Sequence, residues 1–178
     1  EAVIQHAPEF DITQVSAYLH GLLDWMMSLG PALAVGLPAY AASISYLKGD
    51  EQGLIQLIES EAATWVAVEA LKASTHRTRP DGSDNKSFPS GHTAVSFSAA
   101  QYLYMKGGWE YGLPAYALAG YVGYARVNAD KHHLSDVIAG GAIGALTTYS
   151  LTDSVTGDRL SMTLFPGAAS VVWQKSLK

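Results

Sequence analysis

The sequence contains no cysteine, which excludes disulfides, thiolate zinc sites and a cysteine nucleophile together while leaving the redox compartment open. Charge is also scarce, at 15% of 178 residues, and its balance is acidic, with a formal net charge of -5. General nucleic-acid binding calls for a basic surface, so that class is set aside and any cluster of basic residues needs a local reason. There is no long Ser, Gln or Pro tract, and 48% of the residues are hydrophobic. A chain of this composition can meet the entropy of folding by burial. Its length suits one core, so a single domain over residues 1–178 is expected.

Strongly apolar runs are missing too. Charge-free stretches cover 28–47, 111–125 and 137–152, and their lengths approach a membrane span. They are rich in Ala, Gly, Ser, Thr and Tyr, which gain little from lipid, so packing against other helices is the better use. The segments between them carry Glu59, Glu61, Glu69 and Lys72, then Ser96, Ser98, Gln101 and Lys106, which lipid would not accept readily. Residue 1 is Glu rather than Met, the form left by removal of an export signal. A periplasmic or otherwise exported protein is therefore expected, soluble or peripheral to a membrane.

What is present is helical periodicity. Val15, Leu19, Leu22, Leu23, Met26 and Met27 recur at spacings of three and four and predict a helix over 13–29, ended by Gly30-Pro31. Further helices are predicted over 31–47, 53–72, 91–106, 113–127 and 134–149. The expected fold is all-α, a bundle of about six helices with the site at one end. Residues 73–89 carry Ser, Thr, Arg, Pro, Asp, Gly and Asn, the chemistry of a loop. Residues 160–173 alternate loosely around Pro166-Gly167, which predicts a short extended or hairpin tail. The tyrosines and Trp109 are expected between helices or at their ends, with some free to line an entrance for a lipid tail.

Three clusters carry chemistry, each placed at a predicted helix end. Lys72 is followed by Arg79-Pro80, then comes Pro89-Ser90-Gly91-His92, then Arg126 with His132 and Asp136. A doubly charged tetrahedral phosphate needs positive charge and many donors, and its transfer needs them more. Arg79 and Arg126 offer planar forks, Lys72 a point charge and Ser90 a hydroxyl. Gly91 at a helix start exposes backbone N–H groups and admits close approach. His132 and Asp136 stand four apart, so on a continuous helix the carboxylate can hold one ring nitrogen protonated and leave the other free to attack. His92 can protonate the leaving oxygen and later activate water. Such a cycle needs no metal or other cofactor.

Across 72–136 these residues resemble the type 2 phosphatidic acid phosphatases, grouped with bacterial acid phosphatases and vanadium haloperoxidases. The pattern is Lys, six residues, Arg-Pro; Pro-Ser-Gly-His; Ser-Arg, five residues, His, three residues, Asp. It is met throughout except that Ala125 stands where the family has Ser. The resemblance implies phosphate binding by Lys72, Arg79, Ser90, Gly91 and Arg126, His92 as general acid, His132 as nucleophile and Asp136 as its partner. It implies a phosphatase working through a phosphohistidine on a phosphate ester or pyrophosphate, with a lipid such as phosphatidic acid, an isoprenyl pyrophosphate or lipid A as the expected substrate. A non-specific acid phosphatase, a vanadium haloperoxidase and a non-catalytic phosphate binder are the alternatives. His76 and His133 are read as loop or surface groups. A zinc site from His92, His132, His133 and Asp136 is disfavoured, because the surrounding Lys and Arg suit an anion.

Overall fold

The computed structural model describes residues 12–154, 159–165 and 168–174. Among the described residues five helices run in chain order: α1 (Ile12–Leu47), α2 (Glu51–Thr75), α3 (Gly91–Gly107), α4 (Trp109–Asn128) and α5 (Leu134–Leu151). A two-stranded antiparallel hairpin follows, β1 (Arg159–Phe165) with β2 (Ala168–Gln174), in the register Arg159 to Gln174 and Phe165 to Ala168. The helical fold and the hairpin tail agree with the sequence; the expected Pro166-Gly167 turn lies outside the described residues.

The predicted break at Gly30-Pro31 does not occur. α1 continues through both Pro31 and Pro38, although each proline removes one backbone hydrogen bond from the ladder. Packing on both sides of Pro31 explains the continuity. A side chain added at Gly30 would meet Cβ of Ala125 on α4 at 2.8 Å, so the two helices touch there. Beyond the proline, Ala34, Leu37, Ala41 and Ser45 form a buried stripe at helical spacing. Burial on one face holds the axis that the proline alone would interrupt.

Local signals set the remaining ends. Asp50 caps α2 by accepting from the backbone N–H of Gly53 at 2.8 Å. The helix closes at His76, whose left-handed conformation (φ 47°) returns its N–H to the carbonyl of Lys72. That places Lys72 in the last turn. Asp136 at the third position of α5 reaches back to the N–H of His133, its N-cap, at 2.9 Å, a reciprocal cap that accounts for where α5 starts.

α3 is the central helix, and Ala94, Ala99, Ala100, Tyr102, Leu103 and Met105 are all buried along it. It packs against the other four. Its contact with α5 is close because α5 presents glycine: a Cβ at Gly140 would lie 2.4 Å from the carbonyl of Ser90, and one at Gly144 would lie 2.0 Å from that of Ala94. Hydroxyls join the helices inside the bundle, through Ser45 with Tyr102, Ser98 with Thr148, and Ser60 with Thr152. Large apolar side chains stand outside, among them Val35, Ile58, Trp65, Leu113, Ile138 and Leu146. Among the described residues no helix is long and apolar enough to cross a membrane.

Candidate active site

Lys72 at the end of α2, Gly91 and His92 at the start of α3, Arg126 at the end of α4 and His132 just ahead of α5 meet at one end of the bundle, with Arg79 from the connecting loop. Their proximity is seen in what they do to one another. His92 is pushed below the usual histidine range first by burial and then by the positive charges of Arg126, Lys72 and Arg79. His132 is pushed down to about 4, first by burial, with Arg79 and Arg126 adding to the effect. Arg126 is itself lowered by burial and by Arg79. All three cations act on His92, and Arg79 and Arg126 act on His132 as well, a concentration of positive charge that favours an anion.

Two of the three cations are held by hydrogen bonds. Lys72 Nζ donates to Oε1 of Glu69 at 3.0 Å, and a Cβ at Gly91 would lie 3.3 Å from that ammonium. The missing side chain therefore leaves room for Lys72 against the start of α3. Arg79 donates through Nε to Asp84 at 2.6 Å and through its guanidinium to the carbonyl of Lys131 at 3.2 Å. Arg126 has a buried Nε with no hydrogen-bond partner among the described residues, a charged donor left open. Ser90 is fully buried, its hydroxyl 2.9 Å from that of Thr93 and its N–H donating to the carbonyl of Asp136 at 2.9 Å.

His132 is oriented differently from the sequence expectation. Its Nδ1 lies 2.6 Å from the carbonyl of Ser87 and 4.0 Å from Oδ2 of Asp136. The reason is that His132 precedes α5 and is not on the same continuous helix as Asp136. A carbonyl can only accept, so Nδ1 carries the proton and Nε2 keeps its lone pair. Asp136, fully buried, instead receives the hydroxyl of Ser87 at 2.5 Å, the N–H of His133 at 2.9 Å and the guanidinium of Arg77 at 2.5 Å. It fixes the Ser87 segment, and the backbone of that segment fixes His132.

Sequence reasoning missed Ser87 and Arg77. Both lie in the 73–89 loop, where no periodicity reports which groups turn inward; the only local hint is that they flank residues already singled out. His133 and His76 have the structural places expected of them, His133 as N-cap of α5 and His76 as the exposed end of α2. Ala125 is buried against Gly30, so the position where the family has Ser belongs here to the α1–α4 contact.

An open cavity of about 270 Å³ adjoins the site, lined by Glu69, Lys72, Gly91 and His92 at the polar end and by Ala34, Val35, Trp65, Val68 and Val95 along apolar walls from α1, α2 and α3. One end is polar and the rest apolar.

Comparison with known proteins places this arrangement. The chain is 40% identical over 83 residues to a lipid A 1-phosphatase of Porphyromonas gingivalis, covering 44% of this chain and 18% of that protein. It is 29% identical over 127 residues to a lipid A 4'-phosphatase of Helicobacter pylori, covering 65% of this chain and 64% of that one. It thus spans less than two thirds of either relative. The crystal structure of Aquifex aeolicus LpxE matches with a TM-score of 0.63 at 26% identity, covering 71% of this chain and 83% of that chain. The sequence pattern of the PAP2 superfamily matches residues 53–159, more than half of the chain and all of the clustered residues, and the protein belongs to the PAP2 superfamily.

Proposed function

We propose that the protein is a metal-independent lipid phosphatase that forms a phosphohistidine on His132. The observation that carries this reading is the pairing of a locked imidazole with a cluster of cations: Nδ1 of His132 is committed to the Ser87 carbonyl, while Arg79 and Arg126 act on both histidines and Lys72 on His92. Nε2 of His132 attacks phosphorus, the bond from phosphorus to the leaving oxygen breaks, and that oxygen takes a proton from His92. Water then attacks phosphorus as the bond from phosphorus to Nε2 breaks, its proton passes to the now neutral His92, and phosphate departs with both histidines restored. Lys72, Arg79, Arg126, Ser90 and the N–H groups at Gly91 stabilise the oxygens in both steps.

The apolar cavity beside the charged end and the two relatives named as lipid A phosphatases support a phosphorylated lipid as substrate. The exposed apolar side chains of the helices support work at a membrane surface. The test is hydrolysis of a panel of lipid and soluble phosphate esters by wild type and His132→Ala, with a chelator and, separately, with vanadate. Chelator-resistant, vanadate-sensitive turnover that vanishes in the variant is expected. An inactive wild type, or a variant that keeps its rate, sinks the assignment; bromide oxidation with added vanadate would instead favour a haloperoxidase.

A further inference from the structure

Glu69 lines the cavity beside Lys72 and His92, yet the phosphoryl transfer gives it no task. Its Oε1 accepts from the Lys72 ammonium at 3.0 Å, its side chain is 42% exposed, and among the described residues Oε2 has no hydrogen-bond partner. Lys72 is only 16% exposed and packs against the start of α3, where a Cβ at Gly91 would lie 3.3 Å from Nζ. Of this ion pair, the carboxylate is the half more open to a molecule entering the cavity.

Which part of a substrate passes Glu69 follows from the side of the phosphate on which the cavity opens. His92 lines it, whereas Arg79, Arg126 and His132 do not. Attacking and leaving atoms stand roughly in line across phosphorus, so a phosphate attacked by His132 points its leaving group away from that residue, past His92 and into the cavity. There the leaving group runs beside α2, from which Lys72, Glu69, Val68 and Trp65 line the wall. Along the axis Glu69 is roughly 4.5 Å and Trp65 roughly 10 Å from Lys72. With phosphate at Lys72, the atoms about three bonds beyond phosphorus, at about 1.5 Å each, come level with Glu69, and the apolar body reaches Val68 and Trp65.

We propose that Glu69 is a specificity residue for the leaving group, accepting a hydrogen bond from a hydroxyl on the second carbon beyond the ester oxygen. The preferred substrates are then phosphate monoesters of a hydroxyl-bearing headgroup, of polyol or sugar type, carried on an apolar body. This rests on the lipid-phosphatase reading and names the part of the lipid that the site reads. Paired with Lys72, the carboxylate can only accept, so its partner must donate. A substrate ammonium would sit beside that of Lys72, which already meets the same carboxylate, and a second anion would be repelled by the carboxylate itself; a hydroxyl meets neither objection.

The test uses single-chain alkyl phosphonates, in which a methylene replaces the ester oxygen and nothing can be hydrolysed. Matched pairs with and without a hydroxyl are made, the hydroxyl placed either on the third carbon from phosphorus, which corresponds to the second carbon of the ester, or further along the chain. Calorimetric titration of wild type is expected to favour the hydroxylated compound by about tenfold at the third carbon and not beyond, the effect of one hydrogen bond to a charged group. In Glu69→Ala that ratio falls to about one, and in Glu69→Gln, which keeps an acceptor, part of it remains. If Glu69 served only to hold Lys72, its loss would weaken both members of a pair alike and leave the ratio at the wild-type value. That result overturns the proposal, as does a wild type that binds the members of each pair equally or prefers the hydroxyl at another position. Should wild type hydrolyse no phosphate ester, the phosphatase reading fails separately, and the binding ratios still decide on Glu69.

Discussion

Ser87 connects to His132 through its backbone and to Asp136 through its side chain, with the carbonyl 2.6 Å from Nδ1 of the histidine and the hydroxyl 2.5 Å from Oδ2 of the carboxylate. The carboxylate therefore acts on the imidazole at one remove. Its own charge is met by Arg77, whose side chain is 39% exposed while that of Asp136 is 0% exposed.

Removing one partner of that ion pair strands a buried charge. Arg77→Met is expected to lower stability by about 3 kcal/mol, with discounting for the exposed guanidinium, and to reduce turnover as the Ser87 segment loosens. Asp136→Asn in the same background should recover part of the stability, because the amide has no charge to strand. Urea denaturation of the two single variants and the double variant measures the coupling; strictly additive effects would show that the pair does not act as a unit.

The free-enzyme pH profile should follow the two imidazoles. His132 titrates near 4, so its nucleophilic nitrogen stays available through mildly acidic conditions and kcat/KM falls only as pH drops towards that value. His92 must be protonated to act as an acid, and burial and then the cations lower it, so the alkaline limb of kcat/KM should lie below the ordinary histidine value. A bound phosphate dianion opposes the cations, which moves the corresponding limb of kcat upward. Rate profiles for both parameters provide the check, and an alkaline limb in kcat/KM well above 7 would contradict the assignment of His92.

Stability should carry the same signature. Burial holds His132 at about 4 in the folded protein, against an ordinary value of 6.5. The unfolded chain therefore binds the proton more readily, and the contribution is present above 6.5 and lost as pH falls through that window to about 4. Its size is on the order of 3 kcal/mol. Unfolding of wild type and His132→Asn across that range should diverge, with only the wild type showing this acid-dependent loss.

The α3–α5 contact should tolerate no added methyl. Gly140→Ala and Gly144→Ala meet backbone carbonyls at 2.4 and 2.0 Å, so the helices must part, at about 1–3 kcal/mol. Gly140→Ala should also slow turnover, since the carbonyl it meets belongs to Ser90. Gly120→Ala on α4 meets nothing within 4 Å and should leave stability unchanged or raise it by up to about 1 kcal/mol. Denaturation midpoints of the three variants distinguish a packed seam from a general glycine effect.

The cluster spacing was readable because helix ends carry local signals. Lys72, Gly91, His92 and Arg126 lie where capping residues and glycine end or begin periodic segments, and periodicity needs no partner to be seen. Ser87 and Arg77 were not readable, because a loop has no period and their roles exist only once Asp136 is brought across from α5. The prolines of α1 misled in the same way: a missing hydrogen bond is a local fact, while the burial of Gly30 against Ala125 and of Ala34, Leu37 and Ala41 in the core belongs to other helices.

Residue types and spacings by themselves determined the helical fold, the hairpin tail and the set of groups suited to a phosphate, since each depends on neighbours close in the chain. Tertiary structure alone decided which carbonyl orients His132, which cation meets Asp136 and where an apolar cavity opens beside the charges. Those depend on distances between segments far apart in sequence, set by how closely the glycine faces of the helices can pack.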